Sequence, residues 1–140
     1  MCMYSSLENT DRLKRWMGPR KRRFWKVWRP GPSYRNLRGP VYNHYAIYNS
    51  GVLKSSAWMG SAWQGGVTAE GFHVFRTKRA AEKWRGKSAN DVVVPVWCLA
   101  DDLIAAGVES KDQPYHPNHK YRAVFHKITL RKRDFERAIR

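Results

Sequence analysis

The chain has 140 residues, a length typical of one domain that buries about two-thirds of the surface its unfolded form exposes. Its 27 Lys and Arg residues against 11 Asp and Glu give a formal net charge of +16. Self-repulsion at this charge favours an anionic partner, such as nucleic acid, a ribosome, an anionic membrane surface or an acidic protein.

We expect a soluble cytoplasmic protein. The chain starts with polar residues and no run approaches the roughly 20 apolar residues of a membrane span, so neither a signal peptide nor a transmembrane segment is predicted. Cys2 and Cys98 lie far apart in the sequence, which argues against a structural disulfide and favours a reducing compartment.

Residues 1–41 are predicted to form a basic, aromatic-rich arm, because they include eleven Lys or Arg and four Pro. Thr10 is a candidate N-cap for a short helix over residues 11–17, which Gly18 and a following proline end. Residues 22–28 have the composition of a short strand. The Pro-rich stretch 29–32 predicts a turn after it.

From residue 42 the pattern becomes that of a single compact domain, predicted over 42–140. Two β-prone runs, 45–48 and 52–55, flank a three-residue link that contains glycine, which is typical of a hairpin. The Trp-, Ser- and Gly-rich stretch 58–66 is compatible with either a third strand or a mobile aromatic loop.

The middle of this domain carries the clearest local signals. Residues 72–75 predict a short strand, and Thr77 then caps a helix over 78–85. The apolar run 92–98 indicates a buried strand, in which Pro95 removes one ladder donor and so predicts an edge position or a bulge.

The last third of the chain predicts one more helix and one more long strand. Residues 101–107 start with two acids and end in glycine, as short helices do. Residues 109–120 predict a loop, 121–130 a strand with a period near two, and 131–140 a basic tail compatible with a helix. The expected fold is α+β: a small antiparallel sheet with two short helices, plus the basic N-terminal arm and basic C-terminal tail.

The spacing of several short segments resembles that of a group of small, mostly uncharacterised phage and bacterial α+β proteins. The resemblance covers about 60% of the chain. It implies a compact α+β fold and an origin in a mobile element, with the cytosol of the host cell as the location, but no catalytic residues. The segments are the strand at Tyr45–Tyr48, the block Gly71–Phe75 with the Ala-rich helix led by Thr77, the strand Val92–Trp97 and the strand Tyr121–Leu130, all within residues 45–130.

Cations and large aromatic residues alternate in the segment 20–29. Lys and Arg bind phosphates and flat rings stack on bases, so the pattern favours contact with single-stranded or looped nucleic acid. The alternative is a solvated charge run whose aromatic residues cover the core. The candidate nucleic-acid-binding residues here are Arg20, Lys21, Arg22, Arg23, Trp25, Lys26, Trp28 and Arg29.

Two further sets of cations are present, one around the helix at 78–85 and the other in the tail at 131–140. Residues four apart on a helix share a face, so these cations can join the tail in one basic surface. An ordinary solvated helix face is the alternative. The candidates in these sets are Arg76, Lys78, Arg79, Lys83, Arg131, Lys132 and Arg133.

We predict no catalytic residue, metal site or cofactor. His116 and His119 have an i, i+3 spacing, but no CxxC accompanies them. His73 is a candidate general base or ligand contact in a pocket near Tyr45 and Trp63, and the competing interpretation is a hydrogen-bonded structural histidine.

The primary hypothesis is a nonenzymatic protein that binds RNA or single-stranded DNA, a class that includes ribonucleoprotein components. No groove-reading module such as a helix-turn-helix is recognisable, and aromatics interleaved with arginine suit unstacked bases. A second hypothesis is a phage or mobile-element protein that binds and inhibits a host protein complex, for example a defence system. A third is a small nucleotide-processing enzyme with a pocket near His73.

Overall fold

The structure is a computed structural model, and it describes residues 3–5, 7–30, 36–38, 45–47, 52–54, 67–68, 71–85, 91–108 and 121–138. Helices and strands alternate irregularly along the chain. In order they are β1 (Met3–Ser5), α1 (Leu7–Met17), β2 (Arg22–Pro30), β3 (Asn36–Arg38), β4 (Tyr45–Ile47), β5 (Val52–Lys54), β6 (Val67–Thr68), β7 (Phe72–Phe75), α2 (Lys78–Arg85), β8 (Val92–Cys98), a 3-10 turn (Ala100–Asp102), β9 (Leu103–Val108), β10 (Tyr121–Phe125), β11 (Lys127–Thr129) and α3 (Lys132–Ala138).

The strands form an antiparallel sheet in the order β5-β11-β8-β2-β7-β10-β9-β1-β6, with β3 on β2 and β4 on β3. Strands β2 and β8 pair along seven positions, from Arg22 opposite Cys98 to Trp28 opposite Val92. Together with the three α-helices of the described residues, this sheet confirms the predicted α+β class with antiparallel strands.

The main core lies on the face of the sheet to which alternate residues of β2 point. Phe24 and Trp28 are fully buried there, beside Met17 of α1 and Phe125 of β10. The rings of Phe24 and Phe125 lie 5.0 Å apart. Each large apolar side chain buried in this way contributes about 1.5 to 3 kcal/mol.

A second, smaller core lies between the opposite face of the sheet and α2. Ala81 of α2 packs on Val27 and Phe75, with Trp25 at the margin. The hydroxyl of Thr77 accepts a hydrogen bond from the Ala80 N–H at 3.2 Å, as predicted for the cap of this helix. Because both faces of β2 are covered along this stretch, its residues 26 to 28 are all buried.

The predicted arm 1–41 is corrected in its middle part by this arrangement. The strand expected at 22–28 exists, but it extends to Pro30 and lies inside the sheet between β8 and β7. Apolar residues on both of its faces require cover from α1 and α2, so the segment cannot remain apart from the domain. Residues 29 and 30, where a turn was expected to begin, belong to this strand, and residues 31–35 lie outside the described residues.

The first helix is longer at its start than predicted. It begins at Leu7, so Thr10 is an interior residue and not the N-cap. Its buried hydroxyl accepts a hydrogen bond from the Ala106 N–H at 3.0 Å, which ties α1 to β9. At the other end the Gly18 N–H donates to the Lys14 carbonyl, and its φ of +64° gives the left-handed termination that glycine favours.

The helix predicted over 101–107 is wrong. The 3-10 turn ends at Asp102, and the rest of the segment belongs to strand β9, which pairs with β10 and β1. Leu103 to Ala106 are all buried, and neighbours on both sides supply the ladder, so tertiary pairing overrides the helix-like acid and glycine signals at the ends.

The final long strand expected over 121–130 is two strands separated at His126. The first, β10, pairs with β7 and β9, whereas β11 pairs with β5 and β8. The His126 N–H donates to the Asp102 carbonyl at 2.8 Å, which holds the break against the 3-10 turn. The basic tail then forms α3, in agreement with a helix there.

Two predictions about strand pairing also need correction. Strands exist at 45–47 and 52–54, but β4 pairs with β3, and β5 pairs with β11, where Leu53 is opposite the buried Ile128. Strand β8 lies between β2 and β11, not at the end of the sheet. Strand β8 pairs with β11 at Trp97, two residues beyond Pro95. One side of β8 can therefore accommodate the lack of a backbone N–H at Pro95.

The predicted loop 109–120 and the stretch 58–66 lie outside the described residues. Within the described part of the chain, no helix has the length and apolar character needed to cross a membrane.

Candidate nucleic-acid interface

Two half-buried tryptophans lie on the same face of the sheet, on the neighbouring strands β2 and β8. Trp25 is opposite Pro95, and Arg23 is opposite Trp97, so Trp25 and Trp97 are diagonal neighbours. Diagonal positions in an antiparallel pair lie roughly 7 to 8 Å apart. We call the four side chains Arg23, Trp25, Trp97 and Arg131 the tryptophan platform.

Cations from three separate parts of the sequence lie over these two rings. The Arg23 guanidinium is 5.1 Å from the centre of the Trp25 ring, and the Lys78 ammonium is 5.6 Å from it. The Arg131 guanidinium is 4.2 Å from the centre of the Trp97 ring. The fold thus brings together one member each of the segment 20–29, the α2 set and the tail set.

Lys21 extends the platform along the same face. Its ammonium donates to the Thr129 hydroxyl at 3.3 Å, and Thr129 is opposite Trp97 in the neighbouring strand. Next to these residues is a shallow cleft of about 90 Å³, lined by Lys21, Trp97, Leu99, Asp102, Lys127, Ile128 and Thr129.

Two carboxylates adjoin this surface, and each is paired with a lysine. Glu82 lies 3.8 Å from the Lys78 ammonium, and Asp102 lies 3.9 Å from that of Lys127. The arginines over the two rings keep a net positive field on the platform.

The structure corrects two of the predicted contacts. Trp28 is 0% exposed and belongs to the core, so its ring cannot stack on a base. Lys26 is 5% exposed, and its ammonium donates to the His73 carbonyl at 3.0 Å and lies 5.0 Å from the centre of the Trp28 ring. Burial, helped by the charge of Arg122, lowers the pKa of Lys26 to about 7, so it is a poor phosphate contact.

Arg22 is exposed but already bonded to the end of α1. Its Nε donates to the Met17 carbonyl at 2.9 Å and one terminal nitrogen donates to the Trp16 carbonyl at 3.3 Å. These bonds satisfy carbonyls that the last helical turn leaves open.

Most of the other predicted residues are exposed and compatible with phosphate contact. The side chains of Arg29 and Lys132 lie outside the described residues. The exposed candidates are Arg20, Lys21, Arg22, Arg23, Arg76, Lys78, Arg79, Lys83, Arg131 and Arg133.

Sequence reasoning missed a cavity on the other side of β2. It has a volume of about 320 Å³ and lies where α1, the end of β7 and β10 meet. Trp16, at 41% the most exposed large apolar side chain described, is part of its wall. Alternation of cations and aromatics along one strand cannot reveal it, because its lining comes from Asn9, Arg12, Leu13, Trp16, Phe24, Arg76, Ala106, Arg122 and Ala123.

His73 is buried, 3% exposed, in the middle of the sheet. Neither the cleft beside Trp97 nor the cavity beside Trp16 is lined by it. The side chain of Tyr45 and the whole of Trp63, expected near it, are outside the described residues, as are His116 and His119. In the described ranges no three His, Cys, Asp or Glu side chains converge as metal ligands would, and Cys98 is a buried free thiol.

No protein-family model matches the chain, and no curated protein or solved structure shows significant similarity to it. The resemblance to phage and bacterial proteins over residues 45–130 therefore stays a prediction.

Proposed function

We propose that this protein binds single-stranded nucleic acid, RNA or DNA, through the tryptophan platform and without catalysis. The observation that carries the proposal is the meeting of Arg23, Lys78 and Arg131, from three distant segments, around Trp25 and Trp97. Half-buried aromatic rings for bases and cations for phosphates, at the margin of the core under α2, suit single-stranded ligands.

The geometry also favours a single strand over a duplex. The platform rings stand on strands β2 and β8, with α2 packed beside Trp25 on the same face, so strands and not a helix carry the rings that would meet the bases. Two rings at a diagonal spacing offer stacking sites for two bases when Arg23 and Arg131, which lie over the rings, turn to the phosphates that connect those bases. Sequence preference is expected to be weak, since every base has a π face.

The test is fluorescence anisotropy with a twelve-nucleotide poly-U strand that has a 5′-hydroxyl. Trp25→Leu and Trp97→Leu should each weaken binding roughly 5-fold or more, because base stacking contributes about 1 to 3 kcal/mol per base. Trp16→Leu is the matched control, since it removes an exposed tryptophan on another part of the surface.

Charge variants give a second measurement that keeps both tryptophan rings. With Lys21, Arg23 and Arg131 engaged, the logarithm of affinity should fall with the logarithm of salt concentration with a slope of roughly 2. Arg23→Gln and Arg131→Gln should each reduce the magnitude of that slope by about 0.7, and Arg15→Gln on α1 should not. The proposal is refuted if folded variants of all four platform residues bind the strand as the wild type does.

The same variants separate this proposal from the hypothesis of a host-protein inhibitor. A nucleic-acid ligand should copurify at low salt, raise the 260/280 nm absorbance ratio and leave at high salt. A stoichiometric acidic protein with no such absorbance, lost on Arg23→Gln, would overturn nucleic-acid binding in favour of a protein partner.

A further inference from the structure

The cavity beside Trp16 has a lining that combines strong positive charge with an apolar wall. Three arginines line it, and they come from three elements: Arg12 from α1, Arg76 from the end of β7 and Arg122 from β10. None of its described lining residues is Asp or Glu. Asn9 is the remaining polar residue of the lining.

Arg76 and Arg122 are held in place by the fold. The Arg76 guanidinium lies 4.2 Å from the centre of the Trp16 ring, and the Arg22 guanidinium lies 5.1 Å from the same ring. Arg122 is 2% exposed, with its guanidinium 5.0 Å from the centre of the Phe75 ring, so it contributes positive charge but no accessible donor to the cavity. Contacts of this kind orient a guanidinium before a ligand arrives, which reduces the entropy lost on binding.

The charge of the lining indicates the chemical class of the ligand. Guanidinium groups recognise carboxylates and phosphates through pairs of parallel hydrogen bonds. A phosphate monoester carries about 1.5 to 2 negative charges at pH 7 and has three acceptor oxygens, so it suits a cavity with two exposed arginines, Arg12 and Arg76, better than one carboxylate does.

The remainder of the wall suits a flat, largely apolar group. Leu13, Phe24, Ala106 and Ala123 provide an apolar surface next to the arginines. The volume of about 320 Å³ is at the lower end of the range for small-molecule sites, which fits a ligand about as large as one nucleotide.

We infer that this cavity binds a nucleoside 5′-phosphate, with the phosphate on the exposed arginines Arg12 and Arg76 and the base against the apolar wall. The nucleotide has two sources, a free mononucleotide or the phosphorylated end of a strand. The site is separate from the tryptophan platform, because Phe24 lies on the opposite face of β2 from Trp25 and Trp16 lies on α1. It does not depend on the proposed function.

The test is isothermal titration calorimetry with adenosine 5′-monophosphate, with adenosine as the ligand that lacks the phosphate. The monophosphate should bind and adenosine should bind at least tenfold more weakly, since charge-assisted hydrogen bonds would be lost. Arg12→Gln and Arg76→Gln should each weaken the monophosphate at least tenfold. Arg15→Gln, on the same helix but outside the cavity, should leave it unchanged.

Two strands that differ only at the 5′ end identify the source. Tighter binding of a 5′-phosphorylated strand than of its 5′-hydroxyl form, lost in Arg12→Gln, assigns the site to strand ends, whereas an effect confined to the monophosphate assigns it to free nucleotide. The inference is overturned if the phosphate gives no gain in either series, or if Arg12→Gln and Arg15→Gln behave alike. Binding of the 5′-hydroxyl strand should be insensitive to Arg12→Gln, so the proposal for the tryptophan platform is tested independently of this cavity.

Discussion

Replacing Lys26 by methionine is expected to stabilise the protein at neutral and mildly acidic pH. The lysine ammonium lies on the core face of β2, between Phe24 and Trp28, and its hydrogen bond to the His73 carbonyl is its one described polar contact. Burial and the positive charge of Arg122 lower the pKa of Lys26 from 10.5 to about 7, and Cys98 acts in the opposite direction. Methionine has a similar length and no charge to desolvate.

The magnitude follows from proton linkage. The unfolded chain keeps the lysine proton up to pH 10.5, whereas the folded protein releases it near pH 7. Between those values the unfolded state binds more protons, so stability rises with pH by about 1.4 kcal/mol per unit. The destabilisation caused by burying the protonated amine is fully present below pH 7, where it amounts to about 5 kcal/mol, and it is gone above pH 10.5.

Over an accessible range the effect is large enough to measure. From pH 6.5 to 8.5 the free energy of unfolding of the wild type should increase by about 2 kcal/mol from this group. Lys26→Met loses a hydrogen bond, at a cost of about 1 to 3 kcal/mol, so its net gain at pH 6.5 should be about 2 to 4 kcal/mol. That gain should shrink by about 2 kcal/mol at pH 8.5.

Urea unfolding followed by tryptophan fluorescence at pH 6.5, 7.5 and 8.5 measures the free energy of unfolding of the wild type and of Lys26→Met. The range ends below pH 9 because burial raises the pKa of the Cys98 thiol, so ionisation of the unfolded thiol would lower stability above that pH. Lys21→Met, at an exposed lysine just before β2, is the control and should follow the wild type. If the free energy of unfolding of Lys26→Met rose with pH as steeply as that of the wild type, the interpretation of Lys26 as a buried amine that loses its proton in the folded protein would be refuted.

Two further pairs of substitutions test the packing. Gly71→Ala should destabilise the protein by about 3 kcal/mol, because φ is +100° and the new Cβ would lie 2.5 Å from Val124 Cγ1, whereas Gly18→Ala, at φ +64° with open space, should cost about 1 kcal/mol. Equal losses in urea unfolding would contradict the steric argument. Thr10→Val should cost about 2 kcal/mol, since it leaves the buried Ala106 N–H without its acceptor, and Thr77→Ala at the exposed cap of α2 about 1 kcal/mol. A Thr10→Val protein as stable as Thr77→Ala would show that the α1 to β9 bond contributes little.

Local sequence signals correctly predicted the elements that are determined by residues close together in the sequence. The apolar runs of β7 and β8 and the cap of α2 were confirmed because β-branched residues, aromatic residues and a capping hydroxyl act on their immediate neighbours. Residues 101–107 lacked such a decisive signal. Their acids and glycine suited a short helix, and only the ladder partners β10 and β1 made them a strand.

The composition of the chain by itself determined the chemistry available, a large positive charge with many aromatic rings, and the order of its predicted helices and strands indicated the α+β class. The tertiary structure decided which of those groups reach the surface. Alternate residues of a strand point to opposite faces, so the same ten-residue segment buries Lys26 and Trp28 and exposes Arg23, and no local pattern tells which face receives the cover of α1. Nor can the segment name Trp97 and Arg131 as its partners, because strand pairing across more than 70 residues of sequence brings them together.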